Sequence, residues 1–214
     1  MKIVNIVANP KPTSESSSKL EAQAFFDVLE PENKEWEYEE IDLYQDPPPF
    51  YDYDQYRYFW APVFDPSYDP TEKEKRAVEY AQRQARIFNE ADILVLTAPM
   101  WNFGIPGILK TWIDQVLSPG LTFTLGTAGV KGLHKIKKVL LMTSSGGVYG
   151  KDGRPDTLLP QVKSAFGFVG IDDVDVVWAD GQNPFFFKDH EERKSKAIEG
   201  ARDLAREMHN SAVN

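Results

Sequence analysis

The chain has 214 residues, and its 33 acidic and 24 basic residues give it a formal net charge of −9. This length suits one domain of moderate size, and a hydrophobic content of 42% is enough to build a sizeable core. The negative charge argues against nucleic acid or an anionic membrane as a partner, because both select for clustered Lys and Arg. The lack of cysteine excludes disulfides, thiolate catalysis and cysteine-bound metals.

The apolar start of the chain is interrupted at Asn9-Pro10, which is too early for a secretion signal. No apolar run further along is long enough to cross a membrane as a helix. We therefore expect a soluble cytoplasmic protein, and the sequence predicts no metal site.

Hydrophobic patterns alternate between strand and helix along the chain. In chain order we predict a strand at 2–8, a helix at 19–29, a strand at 36–43, a helix at 71–89, a strand at 93–98, a helix at 107–117, a strand at 138–143, a helix at 157–166, a strand at 174–179 and a helix at 191–209. Such alternation predicts a parallel sheet with helices on both faces. Five units favour a single domain, residues 1–214, with a flavodoxin-like doubly wound five-stranded sheet of order 2-1-3-4-5.

Two segments exceed this minimal fold. Residues 47–70 contain nine aromatic residues between Phe50 and Tyr68, a density that favours an interface or a ligand pocket. The alternative is a long loop that folds over the protein's own core. Residues 118–135 are rich in glycine and fit a loop or a small hairpin.

Three unusual loops are expected at the carboxyl ends of the strands, where a doubly wound sheet binds its ligand. In the loop 9–18, three serines precede the first helix, and a helix start with hydroxyl donors suits a phosphate. The same serines also fit a helix cap in a solvated loop. The chain lacks the GxxxxGK[ST] motif of nucleoside triphosphatases and the GxGxxG motif of dinucleotide sites. A monophosphate such as that of FMN therefore remains as the expected ligand of this loop.

The loop 99–106 reads PMWNFGIP, and its prolines limit backbone freedom. Met100 and the two aromatic residues offer polarizable and flat surfaces for a ring, and Asn102 can bond to a ring heteroatom. A packed strand-to-helix turn explains the same residues. In the loop 144–149, Gly146 and Gly147 allow close approach of a ligand, although glycine pairs are common in turns. Tyr149 suits either a ligand contact or packing.

At these residues the chain resembles the FMN-dependent NADH-azoreductase and NAD(P)H:quinone oxidoreductase family, the flavodoxin-like reductases. The stretch APMWNF at 98–103 is similar to a family motif that usually has tyrosine in place of Trp101. The stretch TSSGG at 143–147 resembles the family's loop after the fourth strand, where arginine often replaces Ser145. The similarity continues through 151–181.

The resemblance implies a tightly bound, non-covalent FMN and NADH or NADPH as electron donor. Together with the chemistry of the three loops, it predicts the following cofactor-binding residues: Asn9, Ser16, Ser17, Ser18, Pro99, Met100, Trp101, Asn102, Phe103, Ser144, Ser145, Gly146, Gly147 and Tyr149. Four of these are predicted to act on the reacting ring, namely Asn102, Gly146, Gly147 and Tyr149.

The resemblance also implies a ping-pong cycle, in which NAD(P)H reduces the flavin and leaves before a quinone, azo dye or nitroaromatic compound takes two electrons. Family members are usually homodimers with both subunits lining the active site. His134, His190 and His209 are expected at the surface or in packing. Two alternatives remain: a flavodoxin-type electron carrier that binds FMN without reducing small molecules, and a flavin-free interaction domain.

Overall fold

A five-stranded parallel sheet forms the centre of the protein. The computed structural model describes residues 1–150 and 154–213, so the first three residues of the family-like segment 151–181 lie outside the described residues. The strands of the sheet are β1 (Lys2–Val7), β2 (Glu37–Asp42), β3 (Ile93–Pro99), β6 (Lys138–Ser144) and β7 (Val174–Ala179). A separate antiparallel hairpin consists of β4 (Phe123–Gly126) and β5 (Gly129–Gly132). The hairpin lies within 118–135, as one of the two interpretations of that segment predicted.

The strand order in the sheet is β2-β1-β3-β6-β7, and all pairs are parallel. Leaving out the hairpin strands, this is the predicted order 2-1-3-4-5, which is confirmed. Every residue of β3 is buried, as expected for a central strand covered on both faces. The order reverses between β1 and β3, so the loops that follow them diverge and open a crevice at the carboxyl ends of the strands.

Helices cover both faces of the sheet. The seven helices of the described part are α1 (Ser17–Glu32), α2 (Tyr53–Phe64), α3 (Glu72–Ala77), α4 (Glu79–Glu90), α5 (Gly107–Val116), α6 (Leu158–Gly167) and α7 (His190–Val213). One apolar cluster joins a sheet face to α4, α5 and α6 through side chains such as Phe88, Trp112 and Phe166. A second cluster joins the opposite face to α1 and α7, where Phe25, Leu29 and Ala201 are buried.

One predicted helix needs correction, and one segment contains a helix that the sequence analysis did not predict. The helix predicted at 71–89 is two helices, because Val78 leaves helical geometry with φ −100° and ψ 1°. The aromatic segment 47–70 is also more ordered than a loop, because α2 runs through it. Its start is fixed by a capping box in which Asp52 accepts from the Gln55 N–H and the Gln55 side chain accepts from the Asp52 N–H.

Pro160 does not prevent α6 from forming, because it lies in the first turn, where its missing N–H would have no helical partner. In the described ranges, none of the helices combines the length and apolar character needed to cross a membrane.

Candidate functional site

A crevice of about 610 Å³ lies at the carboxyl ends of β1, β3, β6 and β7. It is lined by residues from four strand ends with the loops that follow them and from the start of α7: Asn9, Lys11, Glu15, Ser16, Ser17, Pro99, Met100, Trp101, Ser144, Ser145, Gly146, Gln182, Asn183, Pro184, Phe185, His190, Glu191 and Lys194. The fold thus brings together the three loops that the sequence indicated, and adds a fourth after β7.

The first loop is organised by a buried hydroxyl–amide network. The Asn9 Nδ2 donates to the Ser16 Oγ at 2.7 Å and to the Ser18 Oγ at 3.2 Å. Ser16 is the N-cap of α1 and accepts from the Lys19 N–H. Ser17, the first helical residue, is only partly buried and donates to the Gln182 Oε1 at 3.1 Å. Ser17 therefore turns its hydroxyl toward the crevice, whereas Ser16 and Ser18 secure the helix start.

The second loop is a tight hairpin turn. Trp101 and Gly104 exchange both backbone hydrogen bonds, at 3.0 and 3.1 Å. The two residues between them, Asn102 and Phe103, have positive φ angles of 47° and 69°. Such a pair of left-handed residues is typical of a type I′ turn, which favours Asn and Gly rather than an aromatic residue.

This turn stands at the surface and is held from both sides. Trp101 is 41% exposed and Phe103 51% exposed. The Met100 N–H donates to the Ser144 carbonyl at 2.7 Å, and the Thr157 hydroxyl donates to the Phe103 carbonyl. A bulky residue in a left-handed conformation is costly, and such strain concentrates at ligand-binding sites. The turn therefore presents two aromatic rings on a fixed backbone.

The third loop is braced by a hydrogen-bond relay. The Trp178 indole N–H donates to the Ser145 Oγ at 2.8 Å, and this hydroxyl donates to the Gly147 carbonyl at 2.8 Å. Tyr149 stacks on Trp178 with ring centroids 6.2 Å apart, and meets Phe103 edge-on. A Cβ on Gly147 would stand 3.3 Å from the Tyr149 ring. Ser145 thus shapes the loop, and Gly147 leaves room for the tyrosine.

The fourth loop was not predicted to belong to the site. Its residues 181–183 donate their N–H groups to the carbonyls of 145–147, which ties the loop after β7 to the loop after β6. Asn183 then accepts from the Phe185 N–H through its Oδ1 and closes a turn that leaves Phe185 86% exposed. Only its position in the chain could have predicted this loop's place in the site, because the loop follows the fifth strand of the sheet and lies at the same carboxyl edge as the other three loops.

Charged side chains stand at the mouth of this crevice. Lys11 and Lys194 line it together with Glu15 and Glu191. Lys194 contacts Glu191 at 2.6 Å, and its hydrogen bond lowers the pKa of the Glu191 carboxyl. The His190 Nε2 lies 3.3 Å from the same carboxylate, so this histidine belongs to the crevice wall as well as to surface packing. The two lysines and two glutamates leave the mouth of the crevice without a net formal charge.

The buried carboxyl of Glu21 contacts the end of β7 next to the site. Glu21 on α1 is fully buried, and its Oε1 accepts from the Ala179 N–H at 3.0 Å. Burial raises the pKa of this carboxyl well above its usual range, and the backbone N–H groups of Ala179 and Thr143 oppose the shift. Nothing in the sequence distinguished Glu21 from the other acids of α1.

The predicted site residues divide into two groups. The crevice lining includes Asn9, Ser16, Ser17, Pro99, Met100, Trp101, Ser144, Ser145 and Gly146. The other predicted residues lie next to this lining or beneath it, namely Ser18, Asn102, Phe103, Gly147 and Tyr149. Ser18 is buried under the helix start, Asn102 and Phe103 occupy the hairpin tip, and Tyr149 packs on Trp178.

The strand order β2-β1-β3-β6-β7, with helices on both faces of the parallel sheet, places the chain among the doubly wound α/β proteins. The chain belongs to a protein family that has the flavodoxin-like fold, and the model of that family matches residues 1–205.

Similar proteins support this assignment. An azoreductase from Bacillus anthracis is 31% identical in a comparison that covers 96% of this chain and 99% of that one, with a TM-score of 0.84. An FMN-dependent NADH-azoreductase from the same species, solved in complex with FMN, is 26% identical over 98% of this chain and all of that one, with a TM-score of 0.81.

A curated relative is the FMN-dependent NADH:quinone oxidoreductase 3 of Pseudomonas aeruginosa, which is 44% identical over 110 residues, or 51% of each chain. The chain spans about half the length of the curated relatives it matches.

Proposed function

We propose that this protein binds FMN in the crevice and reduces quinones and azo or nitroaromatic compounds with electrons from NADH or NADPH. The observation that carries the proposal is the meeting of three features in one crevice: the start of α1 at Ser17, the aromatic turn 101–104 and the glycine loop 144–147. The names of the similar azoreductases and quinone oxidoreductases point to the same chemistry.

The residues present fit an FMN molecule. A crevice of about 610 Å³ lies within the range of cofactor sites, roughly 300–1,000 Å³. A phosphate suits the start of α1, where first-turn N–H groups lack helical acceptors and the helix dipole favours negative charge. A Cβ placed on Gly146 would meet only the Asn183 Cβ, at 3.7 Å, so a ligand can approach this backbone closely.

We assign the following roles to the residues of the site. Ser17 donates to the phosphate, while Asn9, Ser16 and Ser18 hold the helix start in place. Met100 and Trp101 form an apolar wall for the ring, and the strained turn at Asn102 and Phe103 extends that wall. Tyr149 gives the turn a rigid support. Hydrogen bonds and ring contacts within the protein hold these groups in place, and such preorganisation reduces the ordering cost of binding.

When bound, FMN supplies the redox chemistry, by accepting a hydride from NAD(P)H and passing two electrons to the acceptor in a separate step. The protein's own contribution is electrostatic and geometric. The N–H groups of Gly146 and Gly147 and the Asn102 amide are assigned to the polar edge of the ring, where fixed donors stabilise developing negative charge. We also infer that the protein acts as a homodimer.

The proposal is tested by releasing the bound flavin from the purified protein with denaturant and identifying it by chromatography. FMN is expected, and FAD or a failure to take up added FMN would contradict the proposal. NADH oxidation is then measured at several fixed concentrations of a quinone. Parallel double-reciprocal lines are expected for ping-pong kinetics, and intersecting lines would rule out simple alternation. A flavodoxin-type carrier would bind FMN but show no quinone-dependent oxidation of NADH.

A further inference from the structure

Glu21 is a buried acidic residue to which the proposed function gives no role. It lies on α1 four residues after Ser17 and is fully buried. Its Oε1 accepts the Ala179 N–H at 3.0 Å. Its Oε2 and the Thr143 hydroxyl are both buried without a hydrogen-bond partner in the part of the chain that is described. A buried carboxyl with one oxygen unpaired is costly, so its presence calls for a role.

The contact with Ala179 reaches the crevice through backbone hydrogen bonds. Ala179 is the last residue of β7, and its carbonyl accepts the Ser145 N–H at 3.0 Å. Residues 181–183 then donate to the carbonyls of 145–147 at 2.9 to 3.1 Å. The backbone on either side of Gly146 therefore takes its position from the segment that Glu21 holds.

A second contact joins the same two elements at the crevice itself. Ser17, on the first turn of α1, donates to the Gln182 Oε1 at 3.1 Å. Helix α1 thus meets the end of β7 at Glu21 and the loop after β7 at Ser17, in the crevice. Two contacts along one helix fix both the distance and the tilt of α1 relative to the end of β7 and the loop that follows it.

We propose that Glu21 is a positioning residue, which fixes the helix start that bears Ser17 relative to the backbone loop 144–147. The inference rests on the proposed function for the identity of the ligand, whereas the positioning itself concerns the protein alone. The pKa of Glu21 is set by burial and by two backbone N–H groups, so an uncharged acceptor of the same shape should do the same work. The raised pKa agrees with a carboxyl that acts in its neutral form.

The test compares three variants. Glu21→Gln keeps an acceptor for the Ala179 N–H, and Glu21→Ala removes it. Leu29→Ala is the control, because Leu29 is fully buried on the same helix two turns further on and lies away from the loops. Amide hydrogen exchange at residues 145–147 and 179–183 is measured in flavin-free protein, and the FMN dissociation constant is measured by fluorescence quenching.

We expect Glu21→Ala to speed exchange in both segments and to weaken FMN binding about tenfold, the size of one lost buried hydrogen bond. Glu21→Gln should remain within about twofold of the wild type in both measurements. Leu29→Ala should lower the stability of the protein without changing FMN affinity. If Glu21→Ala does not fold, Glu21→Asp takes its place, because its shorter side chain withdraws the acceptor.

Unchanged exchange and affinity in Glu21→Ala would overturn the proposal, and so would equal weakening of FMN binding by Leu29→Ala. Weak binding by Glu21→Gln would show that charge rather than position matters, which also overturns it. If the wild type itself does not bind FMN, the proposed function fails, and the exchange measurement still decides the role of Glu21.

Discussion

Asn102 and Phe103 hold the most strained backbone in the site. Both have positive φ, and for a residue with a side chain the left-handed region costs about 1–2 kcal/mol. Glycine avoids this cost, so we expect Phe103→Gly to be more stable than Phe103→Ala by about 1 kcal/mol. Both variants lose the contact with Tyr149, so that loss cancels in the comparison. The free energy of unfolding is measured in urea.

The same pair of substitutions at an ordinary helical position provides the control for Phe103. Lys196 is an exposed residue in the interior of α7, where alanine is favoured over glycine by about 1 kcal/mol. The order of stabilities should therefore be reversed between the two positions. If alanine is the more stable residue at both, the turn relaxes and the strain at Phe103 is negligible.

Ser17 allows a direct test of the proposed phosphate contact. A hydrogen bond to a charged group contributes about 1.5–3 kcal/mol, and each 1.4 kcal/mol is about tenfold in affinity. Ser17 already donates to Gln182, and it must exchange that bond for the phosphate. We therefore expect Ser17→Ala to weaken FMN binding by about tenfold, the lower end of this range.

The control for Ser17 is Ser14→Ala, an exposed serine in the short 3-10 turn of the same loop. Flavin-free protein is titrated with FMN while fluorescence quenching is followed. Ser14→Ala should bind like the wild type. If the FMN dissociation constant of Ser17→Ala is within about twofold of the wild-type value, Ser17 is a solvated loop residue and does not bind the phosphate.

The Glu21 carboxyl predicts how stability depends on pH. Its folded-state pKa lies above the ordinary value of 4.5, so the folded protein holds this proton more tightly than the unfolded chain. Below pH 4.5 the neutral carboxyl makes its full contribution to the free energy of unfolding. This contribution is lost as the pH rises through the pKa of Glu21 in the folded protein. The loss is at most about 1.4 kcal/mol per pH unit.

Glutamine at position 21 cannot ionise, so Glu21→Gln should gain stability relative to the wild type between pH 5 and pH 8, values chosen to lie above the ordinary pKa. Urea unfolding at several pH values measures the difference. Parallel stability curves for the two proteins would show that the carboxyl does not titrate in this range.

At the scale of elements, the sequence predicted the strands and helices whose apolar residues form a regular pattern. The central strands were recognised as short apolar runs, β2 by the alternation of its apolar residues, and the main helices by apolar residues that repeat about every 3.6 residues. The resulting order of strands and helices predicted the sheet order. The break at Val78 was missed because the amphipathic pattern continues through it. Helix α2 was missed because its aromatic residues suggested a ligand or interface loop, although the DxxQ capping box at Asp52 was readable.

The site itself was predicted in part. The loops at 9–18, 99–106 and 144–149 carry special residues, so their meeting in one crevice followed from the fold. The loop at 180–187 carries no such motif, and its contribution depends on tertiary hydrogen bonds to residues 145–147. The same is true of Glu21, whose burial depends on how α1 packs against β7.

Segment 47–70 is anchored by a buried amide pair. The Gln55 Nε2 donates to the Gln115 Oε1 at 2.6 Å, and the Gln115 Nε2 donates back at 3.1 Å and to the Pro49 carbonyl at 2.7 Å. We expect Gln55→Ala and Gln115→Ala each to lower the free energy of unfolding by about 1–3 kcal/mol, because each leaves a buried amide without its partner.

The double variant tests the pairing of the two amides. Its loss should be smaller than the sum of the single losses, since the remaining unpaired amide is also removed. Denaturant unfolding of the four proteins completes the cycle. Additive losses would show that the two side chains act independently, with the protein held together at this point by apolar contacts alone.

At the scale of the whole molecule, the exposed face of α2 stands out. Tyr53, Tyr56 and Phe64 share one side of the helix at helical spacing and are 71%, 47% and 76% exposed, and the preceding Phe50 is 86% exposed. On the opposite side, Phe59 is buried against Val78 and Ala81. An aromatic surface of this kind is typical of an interface between proteins, and we propose that it joins two copies of the chain.

The dimer is tested by Phe50→Ser combined with Phe64→Ser, followed by light scattering over a range of protein concentrations. Aromatic residues at the centre of an interface each contribute about 2 kcal/mol or more, so we expect the dimer to dissociate at least tenfold more readily. Phe186→Ser is the control, because Phe186 is 79% exposed on a different loop. Phe59→Ser should instead lower stability, since its ring lies in the core.

The net charge of −9 gives a second expectation for the same dimer. Two copies repel each other, and salt screens that repulsion while it leaves apolar contacts in place. Added salt should therefore strengthen the association of the wild type, whereas an interface built on ion pairs would weaken. A monomeric wild type at all concentrations, or an unchanged dimer in Phe50→Ser/Phe64→Ser, would assign the aromatic face of α2 to another partner or to none.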